Sequence, residues 1–298
     1  MVDVNIGVML PTASARGESP RDVVAAARHA EELGFESVWV VDQLVAGTGF
    51  PLLDSLTSLA AAAAATERVR LGVGVLVLPL RPVVWVAKQV ATLQHISGDR
   101  VLLGVGVGGD RHDRSWRAAG VSRGDRGRLT DAGLRVLPDL IGGKSVRLGS
   151  GADVQLSPGA TVPPIIVGGM ADAALRRVAE FGDGWFSMGG AEDLPGQVAR
   201  LRGVAGAGPE VTGNAMLAIE GDRALPDRVS LIRTLTDPDG MFGIPADVAE
   251  GAFVRGDPGV VGAHLARLRA GGARRVVVTF VGGDWFRQAE LLAEACRE

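Results

Sequence analysis

The chain has 298 residues, 47% hydrophobic and 22% charged, which suffices for a large core and predicts one domain over residues 1–298. Lys and Arg number 31 against 34 Asp and Glu, a net charge of −3, so neither a nucleic acid nor an anionic membrane surface is expected as partner. Cys296 is the single cysteine, which excludes a disulfide framework and fits a reducing cytoplasm.

The start, MVDVNIGVML, has no basic segment and reads as a first strand over residues 6–10 rather than a signal peptide. Ser19-Pro20 opens a helix, apolar at Val23, Val24, Ala27, Ala30 and Leu33, which Gly34 stops. SVWVV at 37–41 is a second strand ending at Asp42-Gln43, and an alanine-rich helix is predicted over 54–66. RLGVGVLVLP at 70–79 is a third strand with Gly72 and Gly74 inside it, followed by a helix over 82–96. Its apolar run, 71–80, is too short to span a bilayer.

RVLLGVGVGGD at 100–110 is the fourth strand and the most informative stretch. It begins fully apolar, as a strand buried on both faces does, and dissolves into Gly104, Gly106, Gly108 and Gly109. Glycine weakens a strand interior, so such a run implies close approach by another backbone or a ligand. A helix over 126–141 follows, then a glycine-rich excursion with a short hairpin at 142–162. Strands at 164–167 and 184–188 alternate with helices at 171–181 and 194–204. A seventh strand is predicted over 215–219, then an irregular region, 220–257, with helices at 227–235 and 246–254. A helix at 259–270, a strand at 275–281 and a helix at 286–297 complete the pattern. Eight strand-then-helix units predict a closed (β/α)8 TIM barrel with insertions after strands 4 and 7, long enough to act as lids.

In such a barrel the chemistry belongs at the C-terminal ends of the strands. Gly108-Gly109 and Gly168-Gly169 each precede a helix, where bare N–H groups and the helix dipole suit a phosphate. For Gly168-Gly169-Met170 the alternative is a tight turn and nothing more. Gly104–Gly109 also satisfies G-x-G-x-x-G, but it follows the fourth strand rather than the first, and no acidic residue ends the next strand. Asp42 has two readings, a ligand or acid–base carboxylate and a cap for the next turn. His112 lies in the loop after the glycines, beside Asp110 and Asp113. No histidine pair has metal-ligand spacing, so no metal is expected. Trp39 and Trp185 are expected to fill the barrel.

Several stretches together resemble the bacterial luciferase-like monooxygenase family in its flavin- and deazaflavin-dependent branches. They are GFESVWVVDQL from Gly34, VRLGVGVLVLPLRPVVWVAKQVATLQHISGDRVLLGVGVG from Val69, RGRLTDAGLRVL from Arg126, PPIIVGGMADAALRRVAEFGDGWF from Pro163 and GDPGVVGAHLARLRAGGARRVVV from Gly256. The resemblance implies an oxidoreductase that passes a hydride between the deazaflavin ring of coenzyme F420 and a small organic substrate. The alternative it implies is a monooxygenase using reduced FMN and oxygen, with a partner reductase supplying the flavin. It also implies a homodimer, as many members form. Gly74-Val75 matches a site where the deazaflavin branch often carries a cis peptide behind the ring. Gly106, Gly108, Gly109 and Asp110 match the segment beside the ring, and Gly168, Gly169 and Met170 the phosphate-binding turn. Asp42-Gln43 matches a pair that is often Asp-His in this branch. Glutamine cannot shuttle a proton near neutral pH, so a third expectation is a cofactor-binding barrel that has lost catalysis. Ala132 stands where the family often has glutamate, which weakens an ion pair rather than the function.

Overall fold

The computed structural model describes residues 4–14, 20, 22–109, 113–240 and 242–297. Three residues singled out in the sequence, Ser19, Asp110 and His112, lie outside them. The strands are β1 (Asn5–Met9), β2 (Ser37–Val40), β3 (Arg70–Val77), β4 (Val101–Gly106), β5 (Val146–Arg147), β6 (Asp153–Val154), β7 (Ile165–Gly168), β8 (Gly184–Phe186), β9 (Glu210–Ile219), β10 (Val254–Gly256) and β11 (Arg275–Phe280). The helices are α1 (Val23–Glu32), α2 (Ser55–Ala65), α3 (Val83–Ser97), α4 (Arg114–Ala119), α5 (Arg126–Ile141), α6 (Asp172–Phe181), α7 (Leu194–Ala205), α8 (Arg228–Thr236), α9 (Ala246–Ala249), α10 (Pro258–Ala270) and α11 (Trp285–Arg297).

Eight parallel strands close a ring in the order β1-β2-β3-β4-β7-β8-β9-β11, with β11 returning to β1. The (β/α)8 barrel is therefore the fold. β10 adds to the outer end of β9, pairing Val254 with Leu217. β5 and β6 form the small antiparallel hairpin expected between residues 142 and 162.

Side chains alternate across the wall, as the period of a strand requires. Outward-facing Val38, Leu71, Val73, Leu103 and Val105 pack under the helices. Inward-facing Trp39, Leu102, Ile166, Phe186 and Val277 form a separate plug on the axis. Trp39 fits because two strands leave space for it. A Cβ on Gly7 would stand 2.6 Å from its indole nitrogen, and one on Gly72 would overlap its ring carbons. Its N–H donates to Ser37 Oγ at 2.7 Å. Trp185 departs from expectation. It lies outside the wall, because its strand turns Phe186 inward instead.

The N-terminal end of the barrel is closed by charge. Arg275, 2% exposed, donates to both oxygens of Glu36 at 2.8 and 2.9 Å and to Glu210 at 2.7 Å. Burial pushes the Glu36 carboxyl up, but hydrogen bonds and charge from Arg275, with help from Ser37 and Arg70, outweigh it and hold the group below the usual carboxylate range.

Other differences from the sequence reading are local. α1 begins at Val23, because Asp22 sits in the left-handed region at φ 61°. β3 ends at Val77 and passes into one 3-10 turn, Leu78–Leu80. β9 starts at Glu210, five residues before the predicted strand. The helix expected over 246–254 stops at Ala249, and its last residue begins β10. α4 stands where a loop was expected.

Candidate active site

The C-terminal rim is where glycine and polar groups gather. β3 is irregular there. The Gly74–Val75 peptide is cis, and the β3–β4 register shifts between Val73 and Leu76. Val75 thereby points onto the barrel axis, half-buried, against the inner plug. The inward glycines of the neighbouring strands surround it. A Cβ on Gly104, Gly106 or Gly168 would meet its methyls at 2.9, 2.6 and 3.0 Å. Gly74 instead faces Met9 and Phe186, each 3.1 Å from where its Cβ would stand. The result is a floor of backbone and Val75 above the plug, with glycine at the last inward positions of β4 and β7.

Gly108 has a different task from Gly106. It has φ 76°, and its Cβ would run into Val77 at 2.6 Å and Trp116 at 3.0 Å, so packing under α4 accounts for it. Among the described residues, nothing lies within 4 Å of a Cβ on Gly109.

The turn after β7 is held by its backbone. Gly169, at φ 126°, gives its carbonyl to Trp185 Nε1 at 2.8 Å, which pins the turn from beneath. Met170 Sδ lies 3.4 Å from Met188 N on the next strand's loop. α6 then starts without a side-chain cap, which leaves its first N–H groups to an outside acceptor. Asp172 in that first turn is drawn away by Arg200 at 2.5 Å. Gly168, Gly169 and Met170 are each partly exposed, so an anion has access.

Asp42 is committed to the protein. Oδ1 accepts from Ser55 Oγ and Arg81 Nη2, both at 2.8 Å, and Oδ2 from Val77 N at 2.8 Å and Arg81 Nη1 at 2.7 Å. Its side chain is 2% exposed. With these four bonds the acceptor directions of Asp42 are taken up by the protein, an arrangement that suits the structural one of its two expected readings. Asp42 ties the ends of β2 and β3 to the start of α2. Arg81 also reaches Asp54, the α2 N-cap, at 3.3 Å. Gln43, next along, is half-buried, and its amide has no partner among the described residues.

Sequence reasoning missed Arg81, which stands just past the predicted third strand. Its pairing is set by the three-dimensional meeting of β2 and β3, and no local signal carries it. Arg114 and Asp239, which meet above the rim at 3.3 Å, were missed for the same reason.

A family model described as luciferase-like monooxygenase matches residues 4–224. An uncharacterised protein of Mycobacterium tuberculosis is 38% identical over 167 residues, 53% of this chain and 57% of that protein. An F420-dependent glucose-6-phosphate dehydrogenase of Beutenbergia cavernae is 34% identical over 187 residues, 60% of this chain and 55% of that one. The chain thus spans little more than half the length of these curated relatives. A solved F420-dependent secondary alcohol dehydrogenase, in complex with an F420–acetone adduct, superposes with TM-score 0.77 at 19% identity, covering 99% of both chains, a likeness of fold. On the extent of the family match, the chain belongs to the luciferase-like monooxygenase family.

Proposed function

We propose that this chain is a coenzyme F420-dependent oxidoreductase, passing a hydride between the deazaflavin and a small organic substrate. The observation that carries the reading is the rim around Val75, where Gly104, Gly106 and Gly168 carry no side chain of their own and close around the Val75 methyls. A flat ring fits such a cradle, and the pinned 168–171 turn offers N–H groups to the phosphate on its tail. The named relative from Beutenbergia favours the deazaflavin over FMN; the family's description keeps FMN as the competing cofactor.

The bound deazaflavin would supply the hydride chemistry, as cofactors supply the difficult step elsewhere. The chain's residues do the rest. Val75 and the glycines around it would bear on the ring. Asp42 and Arg81 hold the β2 and β3 ends rigid beneath it, and Gln43 offers a neutral amide as hydrogen-bond donor or acceptor. The segment between β9 and β10 covers the rim and keeps water from the reacting atoms. Gln43 neither takes nor gives a proton near neutral pH, so this reading assigns the β2 end a binding role.

The test is a fluorescence titration of the purified protein with F420 and with FMN, repeated on Gly106→Val. The reading expects one F420 per chain, bound more tightly than FMN, and at least a tenfold loss in the variant, whose branched side chain would displace Val75. Tighter binding of FMN would refute the choice of cofactor. Equal F420 affinity in the variant would refute the cradle.

A further inference from the structure

The segment between β9 and β10 starts and ends beside β9 but reaches far across the rim in between. In the ring, β9 is separated from β2 by β11 and β1, and from β4 by β8 and β7. Its base packs on the C-terminal ends of β9 and β11, where Leu231, Leu235 and Phe253 cluster with Ala218 and Val281. Its tip nevertheless reaches the loops of β2 and β4. Asp239 O accepts from Thr48 N at 3.0 Å, and Asp239 Oδ1 from Thr48 Oγ1 at 3.1 Å and Arg114 Nη2 at 3.3 Å. A Cβ on Gly47 would strike the Asp239 carbonyl, so the two loops touch backbone to backbone. Three parts of the rim therefore meet at Arg114, the first residue of α4.

Arg114 is only half used. Nη2 serves Asp239, whereas Nη1 is buried and has no acceptor among the described residues. A buried cationic N–H left unpaired is costly, and such groups ordinarily find a partner. Two residues on, Trp116 is 2% exposed, and its Nε1 is likewise buried without an acceptor among the described residues. The 3-10 turn that follows Val77 also contacts α4, and Ser115 Oγ accepts from Val45 N at 3.1 Å, so this helix is seated over the β2–β4 side of the rim.

We propose that Arg114 is the specificity-determining residue for the substrate, and that its Nη1 binds an oxyanion, so the substrate class is small organic molecules carrying a carboxylate or phosphate. Asp239 holds the guanidinium through Nη2, and Nη1 is the donor left for an oxyanion. A charge-assisted bond of this kind is short, strong and selective for the ionised form. The inference rests on the rim being the substrate site, as proposed above, but it does not require that the cofactor be F420.

The test uses benzoate and its neutral isostere benzamide, titrated by calorimetry into the full chain, into Arg114→Met and into Asp239→Asn. Benzoate is expected to bind the wild type more tightly than benzamide. Arg114→Met is expected to weaken benzoate at least tenfold and leave benzamide unchanged, with the thermal unfolding midpoint recorded to confirm a folded variant. Asp239→Asn keeps the cation and is expected to hold benzoate within about threefold. An absence of benzoate binding to the wild type, or equal benzoate affinity in Arg114→Met, overturns the proposal. So does a loss in Arg114→Met confined to F420, which would assign the guanidinium to the cofactor. Failure of F420 to bind, with the benzoate pattern intact, refutes the cofactor reading and leaves this one standing.

Discussion

Asp42 shows how one carboxylate decides whether a rim is rigid or reactive. Four hydrogen bonds, two of them from one guanidinium, fix it between β2, β3 and α2. Replacing it by asparagine leaves Arg81, whose side chain is only 20% exposed, without a full counter-charge. Asp42→Asn should cost about 1–3 kcal/mol in urea unfolding. A positioning role further predicts weaker F420 binding with an unchanged shape of the pH–rate profile. A proton-transferring Asp42 would instead remove one limb of that profile. Asp42 stood out in the sequence because it ends an apolar strand, but its partner did not. Arg81 is 39 residues away, and only the closed sheet brings the two together.

Among the elements, β2 and β3 are matched to each other through what β3 lacks. Gly72 faces the axis, and the Trp39 indole occupies the volume its side chain would take. Gly72→Ala should therefore overpack the plug and cost about 1–3 kcal/mol, read by denaturant unfolding. A neutral result would mean that Trp39 has room to move. Most elements were legible because buried parallel strands are continuous apolar runs and their helices repeat every three to four residues. α4 was not. RSWRAA has one apolar anchor, Trp116, and that anchor is buried by Gly108 and Val77, residues the helix meets only after folding. β10 is three residues long and exists because the end of β9 offers it an edge. Trp185 was placed on the wrong face because a three-residue strand, β8, has no alternation to read.

Across the whole molecule, the barrel is a tube with opposite ends of opposite character. The N-terminal end is sealed by Arg275 among Glu36 and Glu210, while the C-terminal end is bare backbone around Val75. The seal makes stability depend on pH in a definite direction. Glu36 holds its charge to a lower pH in the folded chain than in the unfolded one, whose carboxyl titrates near 4.5. Its contribution is therefore present above that value and is lost as pH falls through the lower, folded value. Glu36→Gln should cost about 2–3 kcal/mol at pH 7, and the difference from wild type should shrink when urea unfolding is repeated below pH ~4. A difference that stays constant would show that the pair does not titrate with folding. The open end was legible as a glycine pattern, since Gly104, Gly106, Gly168 and Gly169 were all visible in the sequence. Their partition was not. Gly106 clears the floor while Gly108 accommodates Trp116, and only the direction of each missing Cβ tells them apart.

The measurement that bears most directly on the account is a crystal structure of the protein grown with F420. The account predicts the deazaflavin ring lying over Val75 and a phosphate oxygen within about 3 Å of the first N–H groups of α6. A ring bound elsewhere, or a phosphate that bypasses the turn at 168–171, would contradict it.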